Sequence, residues 1–444
     1  MRKVLVTGLG GAGRTTVAAA TALAAAEGGS RALFLSAGPG EVLGAPVTAG
    51  VEEPVRVHEG LWAARVDAAA DFRAEFLDLQ ERASAALDLL GAARLEDEEL
   101  TRLPGSEQFA LLRALTVASR GEWDVVVVDM PPLPETIALL ALPEELRRYL
   151  RRLLPAERQA ARALRPVLAQ LAGVPMPAQW LYGTAERWDT ELAGVQSVIE
   201  SANTTLRVVA EPGPRAAADL QEARTGLALH GLRVDMLVPN RNLPKETADP
   251  WLAGLAVQQE KCLRDWYETW LPGSSVCEVP HLGRDPQGLD DLALLHTGAV
   301  LTHGDSRDTG DGTGSGAGSG LAPGHHPDRE APRGGPGRVT RQDADTDADA
   351  DTGADTGADT GADTGADTGA DTLFVWELEL PGAVKDELSL VRRGDELLID
   401  AGPFRRILPL PSALRRCTVA GAGLADGLLR VRFAPDPALW PRTR

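Results

Sequence analysis

The chain has 444 residues, which is enough for two or three domains with a substantial buried core. Its formal net charge is -19, but residues 304–372 alone hold 15 acidic and 5 basic residues, so the rest of the chain is only mildly acidic. This balance argues against a nucleic-acid partner and against a polybasic membrane-binding surface. The sequence contains no run of about 20 apolar residues, which an integral membrane segment would need. Its three scattered cysteines predict a reduced, cytoplasmic protein.

A glycine-rich loop follows the first apolar run of the chain. Its glycines let successive backbone amides turn toward phosphate oxygens, and a helix beginning at Thr15 directs its positive end to the same place. The Thr15 hydroxyl can ligate Mg²⁺, while Arg14 stands where such loops carry lysine. The candidate nucleotide-binding residues of this loop are Gly8, Gly10, Gly11, Ala12, Gly13, Arg14, Thr15 and Thr16.

The same glycines also spell the dinucleotide fingerprint Gly-x-Gly-x-x-Gly. That motif needs an acidic residue at the end of the second strand to bind the ribose hydroxyls. Here the second apolar run leads into Ser36-Ala37-Gly38, without an acid. A phosphate-binding loop, which gives the Thr15 hydroxyl a purpose, is therefore favoured over a dinucleotide site.

Residues 1–303 alternate short apolar runs with helix-length segments, which predicts a doubly wound α/β domain with a parallel sheet. The candidate strands cover residues 3–7, 32–36, 61–66, 124–129, 206–210, 233–238 and 276–279. The fourth ends in Asp129, at the carboxyl end of a buried strand, where phosphate-loop enzymes place the aspartate that serves Mg²⁺. Thr15 and Asp129 are therefore the candidate metal residues.

Residues 135–201 are almost wholly helical in pattern and predict an insertion in this domain. Leucines 146, 150, 153 and 154 form an apolar stripe, with arginines on the other side. A stripe of this kind usually faces a core, which predicts a helical subdomain packed on the sheet. A groove for a hydrophobic client is the alternative.

Residues 304–372 are poor in large apolar side chains and end in a four-residue Asp-Thr-Gly-Ala repeat that begins at Asp351. Low hydrophobicity, repelling charges and glycine predict a disordered acidic linker. Calcium-binding repeats are the alternative, but those have another period and apolar inward-facing residues.

Residues 373–444 alternate apolar and polar side chains between turn signals, which predicts a small antiparallel β-sandwich. Six candidate strands cover residues 374–380, 388–391, 396–400, 406–410, 417–419 and 428–433. This module carries no catalytic constellation.

Residues 2–300 resemble the ArsA-type ATPases, which include arsenical-pump and tail-anchored-protein-targeting members. The family's loop Gly-Lys-Gly-Gly-x-Gly-Lys-Thr-Thr aligns with residues 8–16, and its switch II motif aligns with residues 129–140, where Asp129, Pro132 and Thr136 are retained. Residues 239–244 resemble the family's Asn-Arg-x-x-Pro stretch, whose asparagine contacts adenine, here Asn240. The C-terminal module resembles the small-heat-shock domain of actinobacterial members.

The resemblance implies ATP and Mg²⁺ as ligands, but three departures fall on reactive positions. Leu9 replaces a lysine that reaches the nucleotide of a partner subunit, Arg14 replaces the phosphate-contacting lysine, and Gly38 replaces an aspartate that orients the attacking water. Lysine occurs only four times in the chain, so drift toward arginine is one explanation of Arg14. Glu41 and Glu135 are the acidic residues that could substitute for the missing aspartate.

Two hypotheses follow for residues 1–303. The first is an ArsA-type ATPase with weak hydrolysis, which implies a homodimer by family resemblance. The second is a degenerate pseudo-ATPase that acts as a scaffold or chaperone-like adaptor for an unidentified protein client. Clustered thiolates, which soft arsenite requires, are not offered by Cys262, Cys277 and Cys417.

Overall fold

A computed structural model describes residues 1–82, 95–96, 99–100, 105–153, 177–270, 274–295, 337–342, 373–436 and 438–439. The chain forms two compact units. The first comprises Met1–Leu220 and Leu232–Gly304, and the second comprises Gln221–Gly231 and Asp305–Arg444.

The first unit is built on one eight-stranded sheet. Its strands are β1 (Arg2–Gly8), β2 (Ala32–Ser36), β3 (Val55–His58), β4 (Leu61–Arg65), β5 (Val125–Pro132), β6 (Thr204–Ala210), β7 (Val234–Pro239) and β8 (Ser275–Val276). They lie in the order β3-β4-β2-β5-β1-β6-β7-β8. Neighbouring strands are parallel except β3 and β4, which pair antiparallel. The predicted α/β fold with a mostly parallel sheet is confirmed.

Helices connect and cover these strands. They are α1 (Arg14–Glu27), α2 (Pro39–Leu43), α3 (Ala68–Arg82), α4 (Ser106–Ala118), α5 (Leu133–Leu153), α6 (Pro177–Glu200), α7 (Pro214–Leu229), α8 (Pro250–Trp270) and α9 (Gly288–Leu295). The alanines of α1 are buried in one apolar cluster with Val4, Phe34 and Val127 of the central strands. Small side chains let this helix lie close to the sheet. None of the helices described is long and apolar enough to cross a membrane.

Two strands of the sheet differ from the sequence prediction. Strand β3 was not predicted, because its side chains are mostly exposed and give no apolar run. Strand β8 covers two residues rather than residues 276–279. Helix α1 begins at Arg14, one residue before the predicted start at Thr15.

The predicted insertion contains the long helices α5 and α6, and residues 154–176 lie outside the described part of the chain. The buried residues of α5 are concentrated in its first half, from Leu133 to Pro143. The prediction that Leu153 faces a core is wrong, since it is 77% exposed. Beyond Pro143 the contacts of the helix with α6 include polar ones, since Arg147 bonds to Asp189 at 3.1 Å and to Gln196 at 2.6 Å.

The second unit contains two antiparallel sheets. Its strands are β9 (Arg338–Gln342), β10 (Leu373–Glu379), β11 (Leu388–Arg393), β12 (Glu396–Ala401), β13 (Phe404–Pro409), β14 (Cys417–Ala425) and β15 (Leu428–Pro435). One sheet has the order β14-β15-β10-β9 and the other β11-β12-β13. Trp376 and Phe433 of the first sheet share a core with Ile399 and Leu408 of the second. The predicted all-β module is confirmed.

Strand β9 lies within residues 304–372, where a disordered linker was predicted. It pairs antiparallel with β10, with Val339 opposite Trp376. The prediction is wrong for these five residues, because the β-branched residues Val339 and Thr340 favour a strand when they can pair with the open edge of a sheet. The Asp-Thr-Gly-Ala repeat lies outside the described residues.

Candidate functional site

Predicted site residues from distant parts of the chain come together at the carboxyl edge of the parallel sheet. Strand β1 runs into the glycine loop at Gly8, and Ser36 ends β2. Asp129 lies near the end of β5, and Asn240 follows β7 directly. Ligands of open α/β sheets bind at this edge, because the loops that follow parallel strands converge there.

The glycine loop requires glycine at two positions in particular. Gly13 is the residue before α1 and has a left-handed conformation with φ of 85°. A Cβ atom there would lie 2.5 Å from the side-chain amide nitrogen of Asn240. A Cβ atom on Gly8 would overlap the carbonyl of Val209, which accepts a hydrogen bond from the Leu9 amide at 3.0 Å. The loop thus depends on its close packing against β6 and the end of β7.

Asp129 is the centre of the polar contacts at this edge. Its Oδ2 atom accepts hydrogen bonds of 2.9 Å from the Thr15 hydroxyl and of 2.9 Å from the Ser36 hydroxyl. The Ser36 oxygen in turn accepts a bond of 3.2 Å from the Gly38 amide. One carboxylate therefore links the first turn of α1 to the segment that follows β2.

The environment of Asp129 opposes its ionisation. Burial raises the pKa of its carboxyl group, and this effect outweighs the hydrogen bonds from Thr15 and Ser36 and the positive charge of Arg14, which all lower the pKa. A buried carboxylate with this balance is suited to receive further positive charge.

Arg14 is directed toward the end of β5. Its Nη1 atom donates a hydrogen bond of 2.5 Å to the backbone carbonyl of Met130, the residue after Asp129. The guanidinium therefore already connects the first turn of α1 to the end of β5. A phosphate group would have to share or displace this contact.

Asn240 supports the loop from the other side. Its side chain is 6% exposed, and Nδ2 donates a hydrogen bond of 2.8 Å to the carbonyl of Ala12. The next residue, Arg241, donates to the Gly11 carbonyl at 3.1 Å. Two successive side chains after β7 thus hold two successive carbonyls of the glycine loop.

A buried hydroxyl pair fixes the turn after β5. The hydroxyls of Thr7 and Thr136 each lie 2.8 Å from the carbonyl of Pro131 and 3.0 Å from one another. Both side chains are fully buried. They join the end of β1 to the first turn of α5, so the switch II segment is anchored on the strand that carries the glycine loop.

The remaining predicted positions lie around this centre. Gly10 and Gly11 are exposed at the tip of the loop, Thr16 is half-buried in α1, and Leu9 packs against the apolar cluster beneath the sheet edge. Leu9 therefore has a packing role. Sequence reasoning gave no role to Ser36, although its place at the end of β2 was the signal that could have identified it.

The donor set at Asp129 suits a hard cation. The Thr15 hydroxyl and the Asp129 carboxylate offer oxygen atoms, which Mg²⁺ prefers, and Mg²⁺ usually takes its other ligands from water and phosphate. In the described residues, no group of three or more His, Cys, Asp or Glu side chains could hold a metal alone. The three cysteines are free and buried, and burial raises the pKa of each thiol.

Comparisons with known proteins give matches for both parts of the chain. The family model for anion-transporting ATPases matches residues 1–299, and that for the HSP20-like domain found in ArsA matches residues 371–433. An uncharacterised protein of Streptomyces coelicolor is 51% identical over 100% of both chains. A protein of Mycobacterium tuberculosis is 28% identical over 98% of this chain and 97% of its own. A protein of Aquifex aeolicus named as an arsenical pump-driving ATPase is 26% identical over 69% of this chain and 79% of its own.

Proposed function

Because this chain belongs to the ArsA-type family of anion-transporting ATPases, we propose that it binds ATP with Mg²⁺ at the carboxyl edge of its parallel sheet and hydrolyses ATP slowly. The observation that carries this proposal is the carboxylate of Asp129, which accepts hydrogen bonds from Thr15 and Ser36 beside the glycine loop. This arrangement supports a metal-assisted phosphate site, because hydroxyl and carboxylate oxygens meet where a helix begins.

In the proposed site, residues 8–16 hold the phosphate oxygens through loop amides other than those of Leu9 and Ala12, which bond to the carbonyls of Val209 and Leu9. Thr15 and Asp129 hold the metal. Mg²⁺, when bound, would shield the phosphate charge and so favour attack by water. Thr15 and Ser36 both bond to the Oδ2 atom of Asp129, so neither of them uses its Oδ1 atom. Asn240 bonds to the Ala12 carbonyl of the loop, and the resemblance to the family implies that it also contacts the adenine base.

Slow hydrolysis follows from what phosphoryl transfer requires. The protein contributes chiefly orientation and charge stabilisation to this reaction. Leu9 carries no charge, Gly38 carries no side chain, and the guanidinium of Arg14 is bonded to Met130. An arginine keeps the positive charge of lysine but is planar and bulkier. We therefore expect the exchange to affect ATP binding less than it affects stabilisation of the transition state.

Calorimetry with ATP and Mg²⁺ tests the binding proposal. We expect saturable binding to the wild-type protein that weakens at least about tenfold in Asp129→Ala, which corresponds to roughly 1.4 kcal/mol. Asp219→Ala is the matched control, since Asp219 lies on the surface of α7 and pairs only with Arg215 at 3.8 Å among the ion pairs described. No heat at millimolar ATP would refute the site.

A second candidate function is supported by the Arg14 contact with Met130. In a pseudo-ATPase, Arg14 would serve as a permanent tie between the glycine loop and switch II, and the domain would act as a scaffold. Arg14→Lys discriminates the two functions. In a slow ATPase it should raise phosphate release at unchanged ATP affinity, whereas in a scaffold it should leave phosphate release at zero and lower the melting temperature.

We further propose the division of the chain into an ATPase domain over residues 1–303, a linker over residues 304–372 and a small-heat-shock-like domain over residues 373–444. The HSP20-like match supports a protein-binding role for the last of these. We propose an unidentified protein client as its partner, a homodimer as the active form and the cytoplasm as the location. Light scattering with and without ATP and Mg²⁺ tests the dimer.

A further inference from the structure

The segment after β2 has no acidic side chain at the position where the resemblance implies an aspartate that orients the attacking water. Gly38 occupies that position and has only a hydrogen atom in place of a side chain. The proposed ATPase therefore needs a carboxylate from another residue, and the structure holds one beside Gly38. The inference below rests on the proposed function, because it assigns a role in the same reaction.

Glu41 lies against the side of Gly38 on which a side chain would stand. A Cβ atom built on Gly38 would be 3.6 Å from the Glu41 carboxyl carbon and 3.7 and 3.8 Å from its two oxygens. Gly38 is the residue before α2, and Glu41 is the third residue of that helix. Residues three apart lie on the same side of a helical turn, which explains how Glu41 comes back to this position.

The position is tied to the centre of the site. The Gly38 amide donates to Ser36 at 3.2 Å, and the Ser36 hydroxyl donates to Asp129 at 2.9 Å. The amide of Glu41 itself lies 3.3 Å from the carbonyl of Gly38 and donates to it. Two hydrogen bonds thus connect the residue that Glu41 covers to the proposed metal ligand.

Helix capping is the competing explanation for a glutamate at this place. In a capping box, the glutamate at the third helical position accepts a hydrogen bond from the amide of the residue before the helix. Here the Gly38 amide bonds to Ser36 instead. The side-chain carboxylate of Glu41 is exposed and has no hydrogen bond or ion pair in the part of the chain that the structure describes. It is therefore available for a water molecule.

We propose that Glu41 replaces the missing aspartate and is the catalytic residue that orients the attacking water and accepts its proton. The water oxygen forms a bond to the γ-phosphorus as the bond from that phosphorus to the β–γ bridging oxygen breaks. The electron pair of the broken bond leaves with ADP. The proton on the Glu41 carboxylate then passes to solvent as phosphate departs.

Single-turnover hydrolysis and ATP binding, measured side by side on the full chain, test this role. Glu41→Gln keeps the size of the side chain but cannot accept a proton. We expect it to bind ATP within about twofold of wild type and to lose at least about tenfold in the hydrolysis rate. Glu53→Gln, on an exposed turn, is the control and should keep the wild-type rate. Glu135→Gln, which alters the other candidate carboxylate, should lose much less of the rate than Glu41→Gln.

A rescue distinguishes catalysis from a structural effect. Gly38→Asp in the Glu41→Gln background restores a carboxylate to the same space and should recover a substantial part of the rate. Hydrolysis by Glu41→Gln at the wild-type rate would overturn the inference, as would a loss confined to Glu135→Gln. Wild-type protein that binds ATP without hydrolysing it would also overturn the inference and leave the binding site intact. Wild-type protein that does not bind ATP would refute the proposed function itself.

Discussion

The hydroxyl of Thr15 donates a hydrogen bond of 2.9 Å to the carboxylate of Asp129, although 114 positions of the chain separate the two residues. The parallel pairing of β1 with β5 brings them together, since Val6 lies opposite Asp129 in the sheet. The first turn of α1 is therefore bonded directly to the end of β5. A change in the charge at Asp129 should therefore alter both the free energy of unfolding and the affinity for ligand.

Asp129→Asn should stabilise the protein in the absence of nucleotide. Burial raises the pKa of Asp129 above its ordinary value of 3.8, so the ionised side chain opposes folding at neutral pH. This effect is absent below the unfolded pKa and grows as the pH rises through the folded pKa. A gain on the order of 1 kcal/mol would raise the melting temperature by roughly 2–4 °C. Thermal unfolding in EDTA measures it.

The pH profile of this variant is the internal control. The difference in melting temperature between Asp129→Asn and wild type should be largest near neutral pH. It should shrink as the pH falls through the raised folded-state pKa of Asp129 toward the ordinary value of 3.8, because the wild-type carboxyl group then becomes protonated in the folded protein. ATP with Mg²⁺ should raise the melting temperature of the wild type by more than that of the variant. A variant that melts below the wild type at pH 7 would contradict the argument.

Gly13→Ala should destabilise the glycine loop. The left-handed conformation at φ of 85° costs an alanine about 1–2 kcal/mol, and its Cβ would press on the Asn240 amide. Gly10→Ala is the matched control, since nothing lies within 4 Å of a Cβ at that position. Thermal unfolding without ligand should separate the two variants by several degrees, and equal melting temperatures would show that the loop adapts.

Asn240→Ala tests whether this side chain shapes the loop or recognises the base. Removal of the donor leaves the Ala12 carbonyl without its bond, which costs about 1–3 kcal/mol for a buried group. A shaping role predicts that the affinities for ATP and GTP fall by the same factor, about tenfold. A base-contacting role predicts a loss for ATP alone. Asn242→Ala, whose amide bonds to Pro239 at 3.1 Å, is the control.

Much of the α/β fold could be predicted because buried parallel strands carry unmistakable apolar runs. The strand over residues 32–36 was predicted at its observed bounds, and the strand ending near Asp129 within a few residues. Strand β3 escaped prediction because an exposed edge strand needs no apolar run. Strand β9 escaped because its pairing with β10 depends on a partner that lies 30 or more residues further along the chain.

The residues at the site could be nominated from motifs, but their mutual contacts could not. The bond from Arg14 to Met130 depends on a side-chain conformation that no motif specifies. The approach of Glu41 to Gly38 depends on a five-residue helix, which is too short to leave a periodic pattern. Local sequence therefore predicts which chemical groups are present, while tertiary packing decides which of them meet.

Asp235→Ala should strongly destabilise the sheet. Asp235 accepts bonds from Arg207 at 3.1 Å and from Arg2 at 2.8 Å, and the Arg207 side chain is 1% exposed. Loss of the carboxylate leaves a buried guanidinium without its counter-charge, which costs about 3–5 kcal/mol. Urea unfolding should show this loss, and adding Arg207→Met should recover most of it. A loss as small as that of Asp219→Ala, on the protein surface, would contradict it.

Removal of strand β9 should weaken the second unit although most of the surrounding segment is dispensable. Val339 packs against the core cluster that contains Trp376, which is 2% exposed, and β9 pairs with β10 over its whole length. Deletion of residues 338–342 turns β10 into an edge strand and uncovers part of this core, at a cost of about 1–3 kcal/mol. Deletion of residues 305–336 is the control and should leave stability unchanged, because its composition cannot build a core. Hydrogen exchange of the β10 amides measures the difference. The amides that face β9 should lose protection in the deletion of residues 338–342 but not in the deletion of residues 305–336. Equal protection in both variants would mean that β9 does not contribute to the stability of the sandwich.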